Sequence, residues 1–338
     1  MSKKQKIIVL VVTVSLLTSV ATIIPLIVNL FPIISHTREL GQIDTGRMTI
    51  DVEVHGDIAY VVDATENNPG GLLIINVSDP ANPIILASYY QSGLPWKVSI
   101  VGEIAYLANS MIGLEVLSIS DPTNPVKIDQ YTGSGVAYDV EVVGDVAYLA
   151  DWSRGLVILN VSNPSNVREI RTFLIPGACI HVSVANSLAY IVDHHTDYSG
   201  LRVVNVSDPS HPLQLDNHAP SGVDYWNPFV YGDYVYIGNH GLGGGELRIL
   251  NAHDPSNIVQ VGVFDQQSFI SSSYVNGNRA YLADYMNGLV VVDVTIPISP
   301  VKRAQYFDGG HAFDVDVISN IAYVADGVDG LEIIEIMN

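Results

Sequence analysis

The chain has 338 residues, of which 48% are apolar and only 15% charged, with 28 glycines, 17 prolines and a single cysteine. Its 35 acidic residues outnumber 15 basic ones, for a formal net charge of −20, and such a field repels polyanions and excludes nucleic acid as a partner. The lone Cys179 excludes an intramolecular disulfide, and abundant aliphatics punctuated by Gly and Pro fit short buried strands and not disorder.

Lys3, Lys4 and Lys6 precede an uncharged, mostly apolar run from Ile7 to Ile34. That run exceeds both the ~20 residues that span a bilayer and the ~7–15 of a signal-peptide core. Residues 1–6 are therefore expected in the cytoplasm, 7–34 as a transmembrane signal anchor, and 35–338 outside, at the cell surface, by the positive-inside tendency. Ser19-Val20-Ala21 is a small-residue cleavage candidate, but apolar sequence continues past it, so the anchor is expected to be retained. Pro25 and Pro32 would kink or end the helix in its distal part. All the acidic residues follow this segment.

Downstream, one phrase returns: GLLIINVSDP (71–80), GLEVLSISDP (113–122), GLVILNVSNP (155–164), GLRVVNVSDP (200–209), GELRILNAHDP (245–255), GLVVVDVTIP (288–297) and a truncated GLEIIEIMN (330–338). Ahead of each stands a second phrase of the type V-x-G-D-x-A-Y-x-x-D, whose tyrosines are Tyr60, Tyr106, Tyr148, Tyr190, Tyr236, Tyr281 and Tyr323. Their spacings of 46, 42, 42, 46, 45 and 42 residues are the period of a propeller or a comparable strand array. One repeat is too small to bury a core alone, so all seven form one domain. In the first repeat, strand a is read over 50–54, strand b over 58–63, strand c over 72–77 and strand d over 84–89. Gly-Asp hairpin signals and Asp-Pro-x-Asn-Pro turns separate them.

The last repeat stops one strand short. The segment TRELGQID (37–44) matches the register of PVKRAQYF (300–307), so Arg38–Asp44 is expected to supply the missing outer strand and close the ring. The prediction is an all-β, seven-bladed β-propeller preceded by an N-terminal transmembrane helix. The GLxxxNVSDP phrase with AYxxD upstream resembles the LVIVD-repeat β-propeller family over residues 37–338, GLVILNVS and GLVVVDVT being the clearest copies. The fifth repeat departs most, through Asn227-Pro228-Phe229 and the Gly-rich Gly241–Gly245. The resemblance implies extracytoplasmic, often cell-surface proteins without an established common reaction.

The start of strand a and the end of strand b share one face, here called the top. Nine residues before each repeat tyrosine comes a ring of Asp51, Lys97, Asp139, His181, Asn227, Ser272 and Asp314, whose chemistry varies as ligand-facing positions do. Three residues after it comes a ring of Asp63, Asn109, Asp151, Asp193, Asn239, Asp284 and Asp326, uniformly Asp or Asn, as loop capping requires. Trp152, Arg154 and Tyr285 map to the same face as candidate ligand contacts, and aromatic faces beside carboxylates suit sugars or cationic groups. Trp96 and Trp226 occupy a position filled elsewhere by Ile50, Tyr138, Ile180 and Phe313, which suggests packing between blades.

Asp193, His194, His195, His240 and His311 approach the density of a metal site, suited to a transition metal through His or to Ca²⁺ through Asp and Asn. No HExxH, CxxC, EF-hand, nucleophile-elbow or phosphate-loop phrase accompanies them. Asn76, Asn160 and Asn205 begin Asn-Val-Ser sequons at a repeat position, as candidate glycosylation sites. The leading expectation is a membrane-tethered, non-enzymatic binding propeller whose partner is a protein or carbohydrate surface. A metal-dependent hydrolase or lactonase-like enzyme is the alternative, and a structural cell-surface assembly component the second.

Overall fold

The computed structural model describes residues 36–65, 68–90, 93–194, 199–240 and 245–337. The expected anchor at 7–34 lies outside them, and among the described residues no helix is long and apolar enough to cross a membrane. From His36 to Met337 the chain folds as seven four-stranded antiparallel sheets. Six take their strands in chain order, and the first of these runs Met48–His55, Ile58–Thr65, Asn68–Asn76 and Ile84–Tyr90.

The seventh sheet closes the ring. Its inner strands are Asp314–Ile318, Ile321–Ala325 and Leu331–Met337, and its outer strand is His36–Ile43 from the other end of the domain. The pairing runs from His36 opposite Met337 to Ile43 opposite Leu331. A register shift leaves Leu40 unpaired there, and Arg303 is skipped at the equivalent place in blade six. The alignment of 37–44 on 300–307 is thus reproduced down to the bulge.

Strands b and c are apolar on both sides because each sheet is covered by two neighbours. Among the described residues, seven buried apolar clusters result, each shared by adjacent blades. One repeat tyrosine sits in each: Tyr60 meets Val98 and Leu107 of blade two, and Tyr323 meets Val52 and Val61 of blade one. Cys179 is fully buried in the cluster between blades three and four.

The constant NVSDP turn is two consecutive side-chain caps. Asn76, Asn160 and Asn205 accept the backbone N–H of Ser78, Ser162 and Ser207 through Oδ1 at 2.9–3.0 Å. Asp79 and Asp208 then accept the N–H of Ala81 and Ser210. Local Asx geometry accounts for the repeat asparagines as turn formers.

Candidate functional site

The inner strand of every blade presents a free edge to the central channel, and its N–H groups need acceptors. At three blade boundaries the neighbouring blade supplies them as carboxylates. Asp51 Oδ2 accepts Val98 N–H at 2.8 Å, Asp314 Oδ2 accepts Val52 N–H at 3.2 Å, and Asp139 Oδ2 accepts Val182 N–H at 3.0 Å. Two residues further down, Glu53 accepts Ile100 N–H at 3.1 Å, Asp316 accepts Val54 N–H at 2.7 Å, and Glu141 accepts Val184 N–H at 2.7 Å. The upper ring, singled out in the sequence as ligand-facing, therefore also staples blade to blade. The lower ring was missed, although DVEV (51–54), DVEV (139–142) and DVDV (314–317) carried the signal.

Lys97 binds two of the upper carboxylates at once. Its Nζ lies 2.5 Å from Asp51 Oδ1 and 3.2 Å from Asp314 Oδ2, linking blades one, two and seven. Burial lifts the Asp51 carboxyl well above the ordinary range, with Lys97 opposing. Burial also works to raise Asp314, but Lys97 and hydrogen bonds from Asp51, Ser272 and Val52 outweigh it, so Asp314 ionises more readily than usual. Across the channel, His181 Nδ1 stands 3.4 Å from Asp139 Oδ2, and its buried Nε2 has no hydrogen-bond partner. Asn227 adopts a left-handed φ of 37° before Pro228, within a register shift that separates Trp226 from Phe229.

Above this floor opens a cavity of about 470 Å³ walled by aromatic rings. Trp96 stacks on Tyr138 at 5.4 Å and 15°, and Tyr138 meets Trp152 at 5.3 Å. Opposite them, Trp226 contacts the rings of His181, His194 and His240 at 5.0, 5.4 and 5.6 Å. Tyr285 joins the collar through Phe313 at 5.2 Å and His311 at 4.4 Å. The position expected to pack between blades also lines this mouth, while Ile50 and Ile180 keep their contact with the buried clusters between blades. The register shifts between Thr49 and Asp51, Ala137 and Asp139, and Cys179 and His181 leave Ile50, Tyr138 and Ile180 as the extra residues, and a bulge re-aims such a side chain. Trp226 does both, resting partly on the buried cluster between blades four and five.

Arg154 does not join the mouth. Its guanidinium is engaged by Tyr131 Oη of the outer strand of blade two, by Gly133 O, and by Thr172 Oγ1 and Glu169 of the outer strand of blade three. Among the described members of the proposed Asp/His metal set, no three bring their ligand atoms together. Asp193 is fully buried on Arg202 at 2.9 Å, His194 Nε2 contacts Tyr225 O at 3.0 Å, and His240 Nε2 contacts Ile270 O at 3.2 Å. His195 lies outside the described residues. Burial lowers His240 to about 4, so its ring is neutral at physiological pH. Among the described residues, the group whose ligand atoms lie within 4.8 Å of one another is Asp308, Asp326 and Asp329, on the rim of blade seven.

Lower in the channel, a second cavity of about 440 Å³ is lined by Glu53, Glu141 and Asp316. Burial raises Glu141 to about 7 and Asp316 to about 6, partly offset by the N–H bonds of Val184 and Val54. A carboxyl that holds its proton more tightly when folded stabilises fully below its unfolded pKa of about 4, and that contribution is lost as pH rises through the folded value. Glu141→Gln is therefore expected to gain stability relative to wild type between pH 5 and pH 8. Urea denaturation at the two pH values measures this, and an unchanged difference would contradict it.

A family model described as the LVIVD repeat matches residues 46–91, 92–133, 134–174, 176–217, 226–266, 271–307 and 309–338. A comparison with curated proteins finds no match. Among solved structures the chain resembles U3-55K, with 9% identity over 89% of this chain and 98% of the other, at a TM-score of 0.67. It also resembles a protein from Lactobacillus plantarum, with 13% identity over 77% and 86% of the two chains and a TM-score of 0.65. The computationally designed Ika8 protein follows, with 8% identity over 89% and 100% and a TM-score of 0.60. At such identities these likenesses show the fold alone. The seven consecutive repeat matches cover most of the chain, and the protein belongs to the LVIVD-repeat family.

Proposed function

We propose that this protein is a non-enzymatic binding propeller, tethered to a membrane by residues 7–34, that holds a saccharide ring in its aromatic mouth. The observation that carries the reading is His181 Nε2, buried and without a partner in the floor beneath the aromatic collar. Lys97 donates, Asp139 accepts, and the His181 ring does either according to tautomer. A hydroxyl is both donor and acceptor, so a polyhydroxylated ligand satisfies this mixed floor. The stacked Trp96 and Tyr138 rings offer a flat wall to the apolar face of a sugar ring. A volume of about 470 Å³ lies in the usual range of small-molecule sites.

The chain's three tryptophans, Trp96, Trp152 and Trp226, all line this cavity, so intrinsic fluorescence reports on it directly. Titration of the full-length protein with a panel of mono- and oligosaccharides is expected to shift tryptophan emission saturably for at least one member. Trp96→Ala is expected to weaken that binding by about two- to tenfold, in line with the ~0.5–1.5 kcal/mol of an aromatic contact beyond its area burial. If no saccharide perturbs the emission and simple amines do, the ligand class is cationic and the saccharide reading fails.

A further inference from the structure

The Asp/Asn ring that ends each strand b is satisfied differently in each blade. Asp193 meets the Arg202 guanidinium, Asp63 the Tyr90 hydroxyl, Asn239 the Asp224 N–H, and Asp284 the Asn287 amide. Asp151 accepts the backbone N–H groups of Ser153 and Arg154. In blade seven the same position, Asp326, faces carboxylates. The strand-c residue that is Arg202 in blade four is Glu332 in blade seven, so a cation in one blade is replaced by an anion in the other.

Asp326 and Glu332 are 1% and 2% exposed. Each keeps one buried oxygen without a hydrogen-bond partner, Asp326 Oδ1 and Glu332 Oε1. The charges acting on Asp326 are those of Asp308 and Asp329, both negative, and Glu332 shares a hydrogen bond with Asp308. Gly310 leaves the space open, since a Cβ there would stand 1.9 Å from Asp326 Oδ2 and 2.7 Å from Asp329 Oδ2. Asp308 is exposed and gives the cluster a path to solvent.

The geometry points to a divalent-cation site, suited to Ca²⁺, formed by Asp308, Asp326, Asp329 and Glu332 at the rim of blade seven. Oxygen ligands 2.3–2.6 Å from a calcium ion stand at most about 5 Å apart, and the three aspartate ligand atoms lie within 4.8 Å of one another. Four carboxylates and no soft ligand select a hard cation over a transition metal. The site stands where the ring is closed, for Gln42 of the closing strand donates its Nε2–H to Asp329 O at 2.9 Å. A cation here holds the loop of Asp308, the b–c loop and strand c of blade seven together beside that strand. This site is separate from the aromatic mouth, so either can stand without the other.

The test uses the full-length protein stripped with EGTA and titrated with CaCl₂ by calorimetry, with melts recorded at both ends. Wild type is expected to bind one Ca²⁺ and to melt about 5 °C higher at millimolar Ca²⁺. The double variant Asp326→Asn/Glu332→Gln removes two of the facing charges with little change of shape. It is expected to lose both the binding heat and the Ca²⁺-dependent shift, while melting no lower than wild type in EGTA. Absence of heat and shift in wild type at millimolar Ca²⁺, or their persistence in the double variant, overturns the site.

Discussion

Deleting residues 1–44 is expected to leave a chain that no longer folds as a monodisperse propeller, whereas deleting 1–34 leaves the ring intact. The difference is the strand His36–Ile43. It contributes seven paired positions against Leu331–Met337 and packs Leu40 and Ile43 on the cluster shared by blades seven and one. It also ties blade six to blade seven, because Thr37 Oγ1 donates to Gln305 O at 2.9 Å and Tyr306 Oη donates to Glu39 Oε2 at 2.9 Å. A ladder of this length contributes roughly 1 kcal/mol net per hydrogen bond, and two half-buried aliphatics roughly 1–2 kcal/mol each. Their sum approaches the ~5–15 kcal/mol by which a whole domain is stable. The deletion also leaves Leu331–Met337 as an apolar edge open to pairing with other chains. Size-exclusion chromatography and calorimetry on the two truncations decide the matter. A cooperative melt of 45–338 within a few degrees of the longer chain would show that closure contributes little.

Lys97→Met is the second substitution with a large expected effect. It leaves Asp51 and Asp314, 2% and 5% exposed, facing one another without the shared ammonium. Removing one partner of a buried ion pair costs about 3–5 kcal/mol. The Lys97 side chain is 29% exposed, so about 2–4 kcal/mol is expected at pH 7. Two rescues distinguish this from a packing defect. Lowering the pH protonates the uncompensated carboxylates and narrows the gap to wild type. Adding Asp51→Asn restores most of the loss, because the amide oxygen can still accept the Val98 N–H that Asp51 Oδ2 now takes at 2.8 Å. Equal destabilisation of single and double variants at every pH would refute an electrostatic origin. In saccharide titrations Lys97→Met is also expected to weaken binding, since the ammonium is the floor's cationic donor.

The repeat period, the number of blades and the closure of the ring were legible in the sequence. Strand patterning, tight a–b hairpins and Asx turns are local, so most copies of the repeat write them out again. Even the outer strand at 37–44 could be placed, because it carries the residue pattern of strand d, bulge included. The site was only partly legible. Trp152 and Tyr285 were mapped to the mouth from repeat offsets, whereas Trp96 and Trp226 read as packing residues, since only the assembled ring brings their position to the cavity. Arg154 looked available until the fold brought Tyr131, Gly133 and Glu169 around it.

The acidic cluster was hidden for the opposite reason. Asp308 stands eighteen residues ahead of Asp326 in the chain, and the two meet only because a blade-connecting loop folds over the b–c turn. Each sheet is determined by short-range pattern and hydrophobic period. Which side chains share a floor, a mouth or a ring of carboxylates was decided by tertiary structure, because those groups come from different blades whose contacts no single repeat encodes.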